Sequence, residues 1–189
     1  MMPAHVRERS RQRILHVIQG EFRISRDVNV VLATTLGSCV AACVRDAIAG
    51  VGGMNHFLLP QGDGFEGPFA QRYGAYAMEL LINALLRSGA RRERLEVKLF
   101  GGARLSDSLP DVGAQNIVFA ERFLEREGIA LGRGCVGGRH ARRLQFWPAT
   151  GRVRQLTLPS ADHDIIGREA IVHAPWRDLG RVEFFDEET

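Results

Sequence analysis

Thr34–Pro60 reads TTLGSCVAACVRDAIAGVGGMNHFLLP, and how this stretch folds decides the rest. Val40–Arg45 is short, small and β-branched, and Gly50–Leu59 is a second apolar run ended by Pro60. Asp46-Ala47-Ile48-Ala49 between them has the length of a turn, so the stretch reads as a β-hairpin. Taking Asp46–Ala49 as the four turn residues sets Cys39 directly opposite His56 on one face of the hairpin. Directly opposed Cβ atoms lie roughly 4.5–5.5 Å apart, within reach of a sulfur–imidazole hydrogen bond. One bulge would move the pair to opposite faces.

That pairing gives Cys39 a chemistry. A histidine beside a thiol can take its proton, and the thiolate is the nucleophile. Gly37 and Ser38 precede the cysteine in a turn whose successive N–H groups are candidates to hold the oxyanion of a tetrahedral intermediate. The hydroxyls of Thr34 and Thr35 lie just upstream and can orient the imidazole, which completes the logic of a triad. Two blander readings stand beside it. Cys39 can be a small buried hydrophobe. Alternatively, Cys39, Cys43 and His56 can be metal ligands, although C-x-x-x-C is an uncommon zinc spacing and a fourth ligand is lacking. Cys43 reads as core, and Cys135 among glycines reads as structural.

Outward from the hairpin, the 189 residues suit one domain. Three cysteines are too few for a disulfide framework and fit free thiols in a reducing compartment, the cytoplasm. No apolar run reaches the ~20 residues of a membrane span, and the basic N-terminus lacks the apolar core of a secretory signal. The net charge of +3 is carried almost wholly by arginine, with Lys98 the only lysine. Without interleaved aromatic and basic residues, nucleic acid is not an expected partner. Arg7, Arg9, Arg11 and Arg13 mark a solvated arm. Short strands are predicted between Ile14 and Val31, and a loop at 61–71 that is a candidate lip of the site. Tyr73–Arg87 and Ala114–Glu127 have helical apolar spacing and end at Gly89 and Gly128. Strands are predicted at Leu95–Phe100 and Ile129–Val136, and a hairpin at Arg142–Trp147 and Arg152–Leu158. The order of strands and helices implies an α/β fold with mixed rather than purely parallel sheets. Arg139, Arg142, Arg143, Arg152 and Arg154 are read as a solvated strand face or, less simply, a basic docking patch.

These segments resemble a known family. LGSCVAACVRD followed by VGGMNHFLLP is similar to the hallmark of CheD, the chemoreceptor glutamine deamidases of bacterial chemotaxis. KLFGGA (98–103), VGAQN (112–116) and GGRHARRLQFWPATGRV (137–153) agree in order, so the likeness runs over about 20–158. It divides the chain into a basic N-terminal arm (1–19), a CheD-like domain (20–158) and a C-terminal extension (159–189). It implies a single domain of mixed β-sheets sandwiched with helices, related to the catalytic domains of glutamine-deamidating toxins. The implied activity is hydrolysis of receptor glutamines to glutamates without metal or organic cofactor, with Cys39 as nucleophile and His56 as base. The family's third residue is a threonine, in some members six positions before the cysteine. That position is Ala33 here, and Thr34 is assigned instead. The implied partners are methyl-accepting chemotaxis receptors and a CheC-type phosphatase. An adaptor that only binds such partners is the alternative to an enzyme.

Overall fold

A computed structural model describes residues 12–59, 68–107, 110–159 and 182–185. Its strands are β1 (Arg13–His16), β2 (Phe22–Ser25), β3 (Val30–Leu36), β4 (Val40–Asp46), β5 (Val51–Asn55), β6 (Glu96–Gly101), β7 (Ala130–Leu131), β8 (Cys135–Val136), β9 (Arg142–Phe146), β10 (Val153–Thr157) and β11 (Val182–Phe185). Its α-helices are α1 (Pro68–Arg87) and α2 (Val112–Glu127), and a 3-10 turn spans Arg92–Arg94.

The strand β4 shows why the layers stack as they do. Nearly every residue of it is buried, because its sheet is covered on both faces. Val40, Ala42 and Val44 point one way, into a core shared with Met78, Leu81 and Leu85 of α1 and Phe119 and Phe123 of α2. Ala41 and Cys43 point the other way, against Leu32, Leu36, Leu144 and Phe146 of the second sheet. The sheet that carries β4 runs β2-β5-β4-β6-β7, with β8 also on β6, and the other runs β1-β3-β9-β10-β11. Most pairs are antiparallel, and β1–β3, β6–β7 and β6–β8 are parallel. The fold is thus the expected α/β type with mixed sheets, layered as sheet, sheet and helices. No helix among the described residues is long and apolar enough to cross a membrane.

Several boundaries move. The β4–β5 turn is Ala47–Gly50, not Asp46–Ala49: Asp46 closes it opposite Val51. Two features pull the turn forward. Gly50 has φ +62°, a conformation a turn uses and L side chains rarely adopt. The Asp46 carboxylate accepts the Ala49 N–H at 2.9 Å from the end of the strand. The arm assigned to 1–19 contributes β1, which pairs with β3 from Arg13 to His16. Leu15 and Val17 pack on the inter-sheet core, and that burial outweighs the basic character of the segment. The extension assigned to 159–189 contributes β11, whose Phe185 packs edge-on against Phe100 with ring centroids 5.2 Å apart. Helix α1 starts at Pro68, inside the segment read as a loop. Residues 61–67 of the proposed lip, and Arg7, Arg9 and Arg11, lie outside the described residues. The single strand expected over Ile129–Val136 is two short ones, because Gly134 passes so close to β6 that a Cβ there would meet the Leu99 carbonyl oxygen at 2.1 Å. The five arginines form neither one solvated face nor one docking patch. Arg142 and Arg143 are buried, Arg139 pairs with Asp107, and Arg152 stacks over Trp147 and Phe184.

Candidate active site

Cys39 sits between β3 and β4, and the turn that carries it is fastened from below. Gly37 O accepts from Ala103 N at 2.8 Å, and Cys39 O accepts from Gly102 N at 2.7 Å. Ser38 O accepts from Asn116 Nδ2 at 2.9 Å. The glycine pair of KLFGGA is what lets β6 come this close: a Cβ on Gly101 would lie 2.1 Å from Cys39 O, and its φ is +104°. With three carbonyls committed inward, the N–H groups of Gly37 and Ser38 are the candidate oxyanion donors of this turn.

Asn116 is a structural residue that sequence reading passed over, although VGAQN contains it. It is fully buried on α2. Besides holding Ser38 O, its Oδ1 accepts from Leu59 N at 2.8 Å. One side chain thus ties the segment before Cys39 to the segment after His56. Burial of an amide is tolerated because both ends are paired.

The register places Val40 opposite Phe57 and Cys43 opposite Met54, with no bulge between them. Cys39 is therefore not directly opposite His56, as the hairpin spacing had implied: the histidine is displaced by two positions, opposite Ala41. A shift of two preserves the face, since side chains alternate with period 2. Cys39 and His56 share the inter-sheet side as diagonal neighbours, an arrangement in which Cα atoms are roughly 7–8 Å apart and a long or aromatic side chain can bridge.

His56 is held through its backbone and through Nδ1. Its backbone N–H donates to Glu21 O at 3.1 Å, and its carbonyl accepts from Gly20 N at 2.7 Å. Its Nδ1 lies 2.9 Å from Thr34 Oγ1 and 3.3 Å from Val17 O. A carbonyl only accepts, so Nδ1 carries the ring proton. Nε2 is then the bare, basic nitrogen, and it is buried without a hydrogen-bond partner. Burial pushes the imidazole below its usual range, with the Val17 carbonyl opposing that shift in part. Thr34 reaches the ring because it lies on the same face of β3 as Val30, Leu32 and Leu36, whereas Ala33 points to the other face.

The Cys39 thiol donates to Gln19 Oε1 at 3.5 Å rather than to His56. Burial raises the thiol to about 11, against the lowering effect of its own backbone N–H. Both shifts favour the uncharged forms, a thiol and a neutral imidazole. Val17 and Gln19, both in the segment read as an arm, are site residues that spacing alone could not reveal. Cys43 is core, packed opposite Met54. Cys135 accepts from Arg142 Nη1 at 3.3 Å and from Gln155 Nε2 at 3.4 Å. No cluster of three or more His, Cys, Asp or Glu that could hold a metal is present among the described residues.

The fold and site define a two-sheet α/β protein with a cysteine on a tight turn and an oriented, buried histidine on the same face. Residues 58–157 match the family model described as CheD chemotactic sensory transduction. Probable chemoreceptor glutamine deamidase CheD of Caulobacter vibrioides strain NA1000 is 60% identical over 154 residues, covering 80% of this chain and 82% of that protein. The protein so named in Caulobacter sp. strain K31 is 53% identical over 98% of this chain and 100% of its own length. The one in Agrobacterium fabrum is 50% identical over 90% and 96%. Among solved structures, a Neisseria meningitidis protein aligns with a TM-score of 0.44 and 13% identity, over 72% of this chain and 75% of that one. The chain belongs to the CheD family.

Proposed function

We propose that this protein hydrolyses selected glutamine side chains of methyl-accepting chemotaxis receptors to glutamate, with Cys39 as nucleophile, His56 as base and Thr34 as the residue that orients the ring. The observation that carries the reading is the state of His56: Nδ1 is fixed by Thr34 and Val17, Nε2 is buried without a partner, and the residue shares its strand face with Cys39. The names of the relatives, chemoreceptor glutamine deamidases, supply the substrate class.

Because both groups favour their uncharged forms, proton transfer accompanies attack instead of preceding it. The thiol turns from Gln19 towards Nε2 and gives up its proton as sulfur bonds to the carboxamide carbon. The N–H groups of Gly37 and Ser38 take the charge that develops on oxygen. The imidazolium returns its proton to nitrogen, the C–N bond breaks and ammonia leaves. His56 then deprotonates water, which attacks the thioester, and glutamate and free thiol result. No step calls for a metal or organic cofactor, and the place of action is the cytoplasm.

Co-expression with a receptor tests this directly. Each deamidated glutamine adds about one dalton, and Cys39→Ala should abolish the gain because no other group forms the thioester. Deamidation by Cys39→Ala would remove the nucleophile assignment. A second reading, an adaptor that binds receptors or a CheC-type phosphatase, draws on the thiol's hydrogen bond to Gln19 instead of His56. It expects receptor binding with no mass change in the wild type.

A further inference from the structure

The chain from Val17 to Glu21 is a strap across the site. Val17 N bonds Ala33 O, Gly20 N bonds His56 O, and Glu21 N closes a turn on Ile18 O at 3.0 Å. Val17 is buried, whereas Ile18, Gln19 and Gly20 are exposed. From this strap the Gln19 side chain reaches the sulfur of Cys39, Oε1 to Sγ 3.5 Å. It is a primary carboxamide, the functional group the proposed reaction consumes, and it rests on the proposed nucleophile.

We infer that the Gln19 carboxamide fills the subsite for the substrate's primary carboxamide, and that it swings out when substrate enters. The inference rests on the proposed deamidase reading and adds where the substrate group binds. Gln19 is a resident of the subsite and not a substrate: the thiol donates to its carbonyl oxygen. Being exposed, Gln19 can leave without uncovering core. Its departure frees Sγ to turn to the unpartnered Nε2 of His56. The strap itself stays pinned through backbone bonds, so exchange needs only side-chain rotation.

Alkylation of Cys39 in the full chain tests the inference, read by peptide mass spectrometry with iodoacetamide as a carboxamide probe and iodoacetate as its carboxylate counterpart. Gln19→Ala opens the subsite, and Gln19→Met keeps the bulk but removes the carboxamide. Both should alkylate with iodoacetamide about fivefold faster than wild type, the rate equivalent of one neutral hydrogen bond lost. The gain should be smaller with iodoacetate. Wild-type rates in both variants, acceleration in Gln19→Ala alone, or equal gains with both probes would overturn it. On a receptor substrate, Gln19→Ala should lower KM; a raised KM overturns it as well. A wild-type protein that never deamidates receptor while the alkylation pattern holds would strike the functional reading, not the placement of Gln19.

Discussion

Removing the Thr34 hydroxyl separates the proposed machinery from mere packing. Thr34→Val keeps the shape of the side chain on β3 and deletes the oxygen 2.9 Å from His56 Nδ1. The ring would keep one acceptor, Val17 O at 3.3 Å, so no buried donor is stranded. The structural cost should be that of one neutral hydrogen bond, about 1 kcal/mol. If the hydroxyl holds the ring so that Nε2 faces Cys39, loosening it by 1–2 kcal/mol lowers kcat about 5- to 30-fold with KM little changed. The assay is the rate of mass gain in a purified receptor fragment, with urea unfolding run alongside to check stability. Ala33→Thr added to Thr34→Val should not restore activity, because residue 33 points away from the inter-sheet side. A folded Thr34→Val enzyme within twofold of wild-type kcat would refute the orienting role. Rescue by Ala33→Thr would refute the face assignment.

Asp46 and Gly101 give two further tests. The Asp46 carboxylate is fully buried and accepts from Ala49 N, Arg91 N and the Arg94 guanidinium. Burial alone would raise its pKa, but these donors outweigh it and hold it at about 2, below the ordinary 3.8. Because the folded value is depressed, its contribution is present above pH 4 and is lost as pH falls from about 4 to 2, a change of about 2 kcal/mol in urea-unfolding free energy. Asp46→Asn should lose a similar amount at neutral pH and flatten that acid limb. Gly101→Ala meets both φ +104° and the Cys39 carbonyl oxygen at 2.1 Å. It should cost well over ~2 kcal/mol and disable the site, whereas Gly50→Ala, with φ +62° and nothing within 4 Å, should cost about 1 kcal/mol and spare activity.

Much of the architecture was legible because its signals are local. The apolar spacing of Leu81, Leu85, Phe119 and Phe123 follows the helical period, and Gly128 ends α2 with φ +63° as expected of a C-cap. The Arg142–Leu158 hairpin announces itself through Pro148 and Gly151. What failed depended on partners far away in sequence. The 1–19 arm boundary left Leu15 and Val17 outside the domain, although short strands were expected from Ile14; their value as core exists only once β3 and the second sheet stand beside them. Arg142 and Arg143 looked like surface, yet β9 is buried throughout, and Arg142 is satisfied by Cys135 O and Gly137 O.

The sequence by itself determined that Cys39 and His56 share a face. Alternation along a strand has period 2, so misplacing the turn by two residues in register leaves the faces unchanged. It did not determine which atoms touch. The sulfur meets Gln19, the imidazole is fixed by Thr34 and Val17, and Asn116 clamps both segments. These contacts join residues 20 to 78 positions apart. They follow from a parallel β1–β3 pair and from helix α2 packing beneath the turn, and no local rule of spacing encodes either.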